Sequence, residues 1–258
     1  MSYSLRQQMS LEGRVAVITG SANILGPQFA AALAEFCAKL ALVDVDGEGC
    51  DRVAREIRES YGTDAIAIVA DVANEQAVSD MVRKVQSDFG RIDILVNAAA
   101  TKSPHYFKPL AEYDLADWNE VMAVNLTGAF LCTKYVVPHF VSESRGNIIN
   151  MIDIHGERPL ANHSLYSTAK AGLAMLTRSL ARELAPDVRV NGISPGVILW
   201  PKSDDPEDGE RRERQLKRVP LGSEGDPQDI AEAVLFLAER APYVTGQIIA
   251  VDGGRSLT

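Results

Sequence analysis

The sequence predicts a doubly wound α/β domain, a mainly parallel seven-stranded sheet with helices on both faces. Three observations predict it. Short, continuously apolar runs recur along the chain, as in strands buried on both faces. Segments of helical period separate them, so that strand, helix, strand is repeated. A glycine-bearing turn, TGSANILG (Thr19–Gly26), joins the first run to the first helix.

The strands expected in order are RVAVIT (Arg14–Thr19), KLALVD (Lys39–Asp44), AIAIVA (Ala65–Ala70), IDILVN (Ile92–Asn97), NIINM (Asn147–Met151), VRVNGI (Val188–Ile193) and QIIAV (Gln247–Val251). Between them PQFAAALAEF, EGCDRVAREIRESY, EQAVSDMVRKVQSDF and DIAEAVLFLAER carry apolar residues at helical spacing. The right-handed crossover rule places these helices on both faces of the sheet. No linker or low-complexity break interrupts the pattern, so residues 1–258 are read as one domain for cofactor binding and catalysis. One segment departs from the rhythm. LWPKSDDPEDGERRERQLKRVPLG (199–222) is charged and proline-bearing, and reads either as a solvated excursion or as a substrate lid.

Composition narrows the partners. The formal charge of -9 argues against nucleic acid or an anionic membrane, either of which needs a basic face. No apolar run approaches the ~20 residues of a membrane span, and the N-terminal stretch has no signal-peptide core. Three cysteines (Cys37, Cys50, Cys132) without metal-ligand spacing read as reduced thiols in a cytoplasmic protein, and no metal site is expected. A small molecule is the partner to look for.

The glycine turn brings backbone N–H groups and the positive end of a helix to a pyrophosphate. Asp44 stands at the end of the second strand, eighteen residues past Gly26, where an acid accepts hydrogen bonds from the adenosine ribose and repels a 2′-phosphate. Asp46 is its competitor in VDVDGEG. No Arg or Lys follows the strand closely, so NAD is favoured over NADP.

Tyr166 and Lys170 stand at i,i+4 spacing on one face of a helix that continues through Leu173, Leu176, Leu180 and Leu184. An ammonium beside a phenol eases proton exchange nearer neutral pH. Together with TGSANILG, Asp71, NAAA (Asn97–Ala100), Asn125, Pro195-Gly196 and VTGQIIAVDGG, this pair makes the chain resemble a short-chain dehydrogenase/reductase over nearly its whole length. The resemblance implies a Rossmann-type fold, a nicotinamide cofactor and a homotetramer. It also implies Tyr166 as acid/base, Lys170 also as ribose ligand and Asn125 as anchor of a water relay. The cofactor set it implies is Gly20, Asn23, Ile24, Leu25, Gly26, Asp44, Asp71, Val72, Asn97, Ala98, Tyr166, Lys170, Pro195, Gly196 and Ile198.

Departures from the family pattern are Ile24 in place of a glycine, NAAA for Asn-Asn-Ala-Gly, Trp200 for a threonine and Cys37 for a glycine. The largest is Asp153, thirteen residues before Tyr166, where the family keeps a serine. A serine donates a hydrogen bond to a carbonyl; an ionised carboxylate only accepts. Its charge opposes formation of a tyrosinate, and the two groups titrate as a coupled pair. Asp153 and the stretches IDIHGERPL, YSTAKAGLAMLTRSLARELAP and VDGGRSL are similar to bacterial pteridine reductases. Tyr106 and Phe107 are the candidates for a pterin-stacking aromatic, while Ile24 and Asp44 depart from that branch.

The leading expectation is therefore reduction of a pterin-like C=N by hydride transfer. The alternative is an NAD-dependent dehydrogenase of a sugar, polyol or other secondary alcohol. A third reading is a non-catalytic nucleotide sensor. A structural alternative turns Asp153 away into an ion pair with Arg158, and His155 and His163 are read as loop or core residues.

Overall fold

The computed structural model describes residues 10–101, 108–140, 146–198 and 206–258. Seven strands, β1 (Val15–Thr19), β2 (Lys39–Asp44), β3 (Ala65–Val69), β4 (Ile94–Asn97), β5 (Gly146–Met151), β6 (Val188–Pro195) and β7 (Ile248–Val251), form one sheet in the order β3-β2-β1-β4-β5-β6-β7. Every pairing is parallel. The chain moves outward from β1 to β3 and then returns to β4 on the other side of β1. That reversal opens a crevice at the carboxyl ends of β1 and β4, the place where such sheets hold ligands.

The helices are α1 (Gly26–Glu35), α2 (Gly47–Tyr61), α3 (Glu75–Phe89), α4 (Leu115–Met122), α5 (Ala129–Val136), α6 (Ser164–Glu183), α7 (Pro206–Leu216) and α8 (Pro227–Leu235). Local chemistry sets their ends. The Asp46 and Asn74 side chains accept the Gly49 and Ala77 N–H groups and start α2 and α3, and left-handed Gly62 and Gly90 stop them. One core gathers Phe29, Leu33, Ile57, Ile230 and Val234 against one face of the sheet. The other gathers Val78, Met81, Val85, Leu131 and Val136. Both faces of β1 and β4 are therefore covered, which is why those strands read as unbroken apolar runs.

One expectation changes. A turn of π-helix (Ala123–Gly128) joins α4 to α5, so that Leu115–His139 is one helical run of 25 residues, long and apolar enough by length and composition to cross a membrane. It is a core helix, with Leu131, Cys132 and Val136 buried against the sheet. Within 199–222, expected as a solvated excursion or a substrate lid, the described residues hold α7. Beyond α7 the segment is anchored: Leu221 N–H donates to Gly253 O at 3.0 Å, and Val219 is buried. Residues 199–205, including Trp200, and Tyr106 and Phe107 lie outside the described residues.

Candidate active site

The glycine turn is packed so closely that side chains would not fit. A Cβ on Gly20, whose φ is 69°, would stand 2.6 Å from Ala98 O, and one on Gly26 would stand 2.4 Å from Gly20 O. Asn23 staples the turn. Its Nδ2 donates to Ala98 O at 3.2 Å, while its Oδ1 accepts the N–H groups of Leu25 and Gly26 at 2.9 Å each. Ile24 projects half-exposed from the same turn.

Asp44 closes β2 at the rim of a cavity of about 460 Å³ lined also by Gly20, Ala22, Val43, Asp71 and Val72. Its Oδ2 accepts the Ala22 N–H at 3.0 Å and its Oδ1 the Asp46 N–H at 3.2 Å. These bonds hold the carboxylate and leave each oxygen room for another donor. Asp46, the competitor, lines the same cavity and caps α2 through Gly49. Asp71 accepts the Ala73 N–H at 2.9 Å. The cradle and the acid suit a dinucleotide.

The Asn97 side chain belongs to a buried polar chain. Its Nδ2 donates to Asn150 Oδ1 at 2.9 Å, Asn150 passes the chain on to Thr177 Oγ1 at 2.9 Å, and all three are buried. This chain ties β4 and β5 to α6, and sequence reasoning missed Asn150 and Thr177. Periodicity marks them only as polar residues in apolar surroundings. Ala98 contributes its backbone, donating to Thr19 Oγ1 at 3.1 Å and accepting from Asn23.

A second cavity, of about 250 Å³, brings together residues the sequence singled out; Ile24, Ala98, Asp153, Tyr166, Lys170 and Gly196 line it. Leu25, Pro195 and Ile198 also face it. Gly196 is required here, because a Cβ would stand 2.7 Å from Asp252 Cα. Lys170 is 3% exposed, its Nζ donates to Met151 O at 2.9 Å, and it stands 5.5 Å from the centre of the Tyr166 ring. Burial pushes its pKa down to about 8, with the Asp153 charge opposing.

Tyr166 O–H donates to Asp153 Oδ2 at 3.1 Å, and Asp153 Oδ1 accepts the His155 N–H at 2.8 Å. Asp153 therefore faces the tyrosine, and among the described residues no ion pair joins it to Arg158. The backbone bond caps the short turn Ile154–Gly156 and fixes the carboxylate's direction. His163 is buried with its ring 4.8 Å from that of Tyr166, and His155 Nδ1 lies 3.1 Å from Arg158 O.

Asn125 lies in the π turn, buried, with Nδ2 donating to Val121 O at 3.0 Å and Oδ1 without a protein hydrogen-bond partner. Such turns recur at functional sites because they displace a side chain from the regular ladder. Leu126 in the same turn fits over Gly172, where a Cβ would stand 2.9 Å from Leu126 Cδ2, so the turn is seated on the helix bearing Tyr166.

The family described as enoyl-(acyl carrier protein) reductase matches residues 20–256. The (2S)-[(R)-hydroxy(phenyl)methyl]succinyl-CoA dehydrogenase subunit of Thauera aromatica is 40% identical, over 96% of this chain and 99% of that one. The chain belongs to the short-chain dehydrogenase/reductase family. Cis-4-hydroxycyclohexanecarboxylate dehydrogenase of Sinomonas cyclohexanicum is also 40% identical, over 93% of this chain and 96% of its own length. The structure of NAD+-bound xylitol dehydrogenase superposes with a TM-score of 0.88 at 30% identity, covering 94% of this chain and 99% of that one. The protein is an NAD(P)-dependent oxidoreductase with a small-molecule substrate.

Proposed function

We propose that this short-chain dehydrogenase/reductase oxidises a secondary alcohol with NAD, Tyr166 acting as the base and Asp153 receiving the tyrosine's proton. The carrying observation is the 3.1 Å hydrogen bond from Tyr166 O–H to Asp153 Oδ2. An ionised carboxylate accepts and cannot donate, so it suits a substrate that arrives with an O–H rather than a bare carbonyl. The phenol's own proton is directed at Asp153, so the phenolic oxygen is the atom that would take the substrate's proton. As the substrate O–H bond breaks, its proton goes to Tyr166 Oη and the tyrosine's proton goes to Asp153. The buried Lys170 ammonium offsets the negative charge on the oxygens. In the reverse direction the protonated Asp153 returns the proton by the same route.

Bound nicotinamide supplies the site that accepts or gives the hydride. Asp44 would hold the adenosine ribose, the Gly20–Gly26 turn the pyrophosphate and Lys170 the nicotinamide ribose; Asn125 would anchor a water beside Tyr166. The acid at the end of β2 supports NAD over NADP. The relatives' names support the alcohol reading over the pterin one, because both sequence relatives are dehydrogenases of hydroxy compounds and neither name mentions a pterin. Trp118, Phe130 and Met175, exposed on α4, α5 and α6, support association of copies through those helices, which sedimentation velocity would test.

The deciding assay offers purified protein NAD or NADP with cis-4-hydroxycyclohexanecarboxylate, cyclohexanol and xylitol, and NADH or NADPH with dihydrobiopterin. NAD reduction by one of the alcohols is expected. Saturable pterin turnover with no alcohol oxidation would overturn the proposal.

A further inference from the structure

We propose that the Ile198 side chain is the partition between the catalytic cavity and a larger cavity behind it, and that it limits the size of substrate admitted to Tyr166. This rests on the alcohol-oxidation reading and names the feature of the site that selects among alcohols.

The catalytic cavity, of about 250 Å³, is lined by Asp153, Tyr166 and Lys170 and also by Ile198. The cavity behind it, of about 640 Å³, is lined by Pro220, Leu221, Gly225, Val251, Asp252 and again Ile198. Among the described residues, Ile198 alone lines both. Ligand clefts commonly measure about 300–1,000 Å³. The catalytic cavity falls below that range and its neighbour lies inside it.

The backbone of the dividing segment is pinned. Gly196 N–H donates to Val251 O at 3.0 Å, and Gly225 N–H donates to Val197 O at 3.0 Å. Ile198 pairs with Gly225 in an isolated parallel bridge. These contacts fix where the Ile198 side chain starts, and its branched Cβ restricts χ1. Its far end rests on Gly225, where a Cβ would stand 2.6 Å from Ile198 Cδ1. The next atoms, Asp229 Oδ2 and Val197 O, would be 3.5 and 3.9 Å away. The backbone at Gly225 is not in the left-handed region, so the glycine there serves the space that Ile198 fills.

Such a wall acts on specificity through shape. One methylene more or less in an apolar pocket changes kcat/KM by about 10- to 200-fold. With Ile198 in place, a bulky group on an alcohol held at Tyr166 has only the catalytic cavity to occupy. Without it, the same group gains the larger cavity. A methyl group on Gly225 does the reverse. Ile198 Cδ1 is the atom that must yield, and it yields away from Gly225, toward the catalytic cavity.

The test compares kcat/KM for 2-propanol, cyclohexanol and 4-tert-butylcyclohexanol with NAD in full-length wild type, Ile198→Ala and Gly225→Ala. Ratios between two alcohols within one protein cancel any change in cofactor affinity. Ile198→Ala should raise the ratio of 4-tert-butylcyclohexanol to cyclohexanol at least about tenfold. Gly225→Ala, a change outside the catalytic cavity, should lower the ratio of cyclohexanol to 2-propanol about tenfold. Crystal structures give the second readout: one continuous cavity in Ile198→Ala, and Ile198 Cδ1 displaced into the catalytic cavity in Gly225→Ala. Unchanged ratios, or cavities that stay separate in Ile198→Ala, would each overturn the partition. Failure of the alcohol reading shows separately, as no NAD reduction by any alcohol in any of the three proteins, and the two crystal structures then judge the partition by themselves.

Discussion

Lys170→Met separates what the buried lysine does for stability from what it does for chemistry. In the folded protein the ammonium is 3% exposed, and burial lowers its pKa from 10.5 to about 8. Above 10.5 the amine is neutral in both folded and unfolded chains. Between about 8 and 10.5 the unfolded chain holds a proton that the folded one does not, so stability rises with pH across that window. Below about 8 the folded state carries the full cost of a buried charge. The gap, at about 1.4 kcal/mol per pH unit, is about 3 kcal/mol. Urea unfolding of wild type and Lys170→Met at pH 7.5, 8.5, 9.5 and 10.5 measures it, because titrations elsewhere cancel in the difference. Wild type should gain about 3 kcal/mol on the variant between the lowest and highest pH, about 6 °C or more in Tm. The variant should lose turnover at every pH. A stability difference that stays flat across the range would refute the reasoning, since the lysine would then titrate as it does in the unfolded chain.

Tyr166→Phe should lower kcat by about 10²- to 10⁴-fold, with NADH affinity by fluorescence titration within about twofold of wild type. Asp153→Asn, which removes the acceptor of the tyrosine's proton, should cost alcohol oxidation about tenfold to a hundredfold in kcat/KM. Asp153→Ser should recover ketone reduction better than alcohol oxidation. Asp44→Ala should raise KM for NAD about tenfold and narrow the preference over NADP, read from initial rates with both cofactors. Asn23→Ala removes the three bonds that staple the glycine turn and should lower stability by about 1–2 kcal/mol in urea, with weaker NADH binding.

Much of this architecture is legible in local sequence. Apolar runs such as IDILVN and VRVNGI identify strands because a strand covered on both faces has no solvent side to record. Tyr166 and Lys170 announce themselves because i,i+4 spacing can be read without knowing the fold. Asp153 is noticeable from its distance to Tyr166, but its partner is not. Arg158 and Tyr166 are both within reach along the chain, and only the turn that Asp153 caps by accepting the His155 N–H aims the carboxylate at the phenol. Helix α7 is obscured by charge, since Glu213 and Lys217 pair along a polar surface and leave no strong apolar stripe to count.

The sequence by itself determined the parallel sheet, the glycine turn and the pairing of Tyr166 with Lys170 on one helix face, because each is written in neighbours a few residues apart. Tertiary structure alone set the Asp44 carboxylate against the Ala22 N–H and Asp46 at the cap of α2, joined Asn97 to Asn150, and left Asn125 Oδ1 without a protein hydrogen-bond partner in a π turn. The reason is physical. Backbone periodicity depends on residues one turn or one pleat away, whereas the aim of a polar side chain depends on which distant donor, acceptor or charge the packed chain sets beside it.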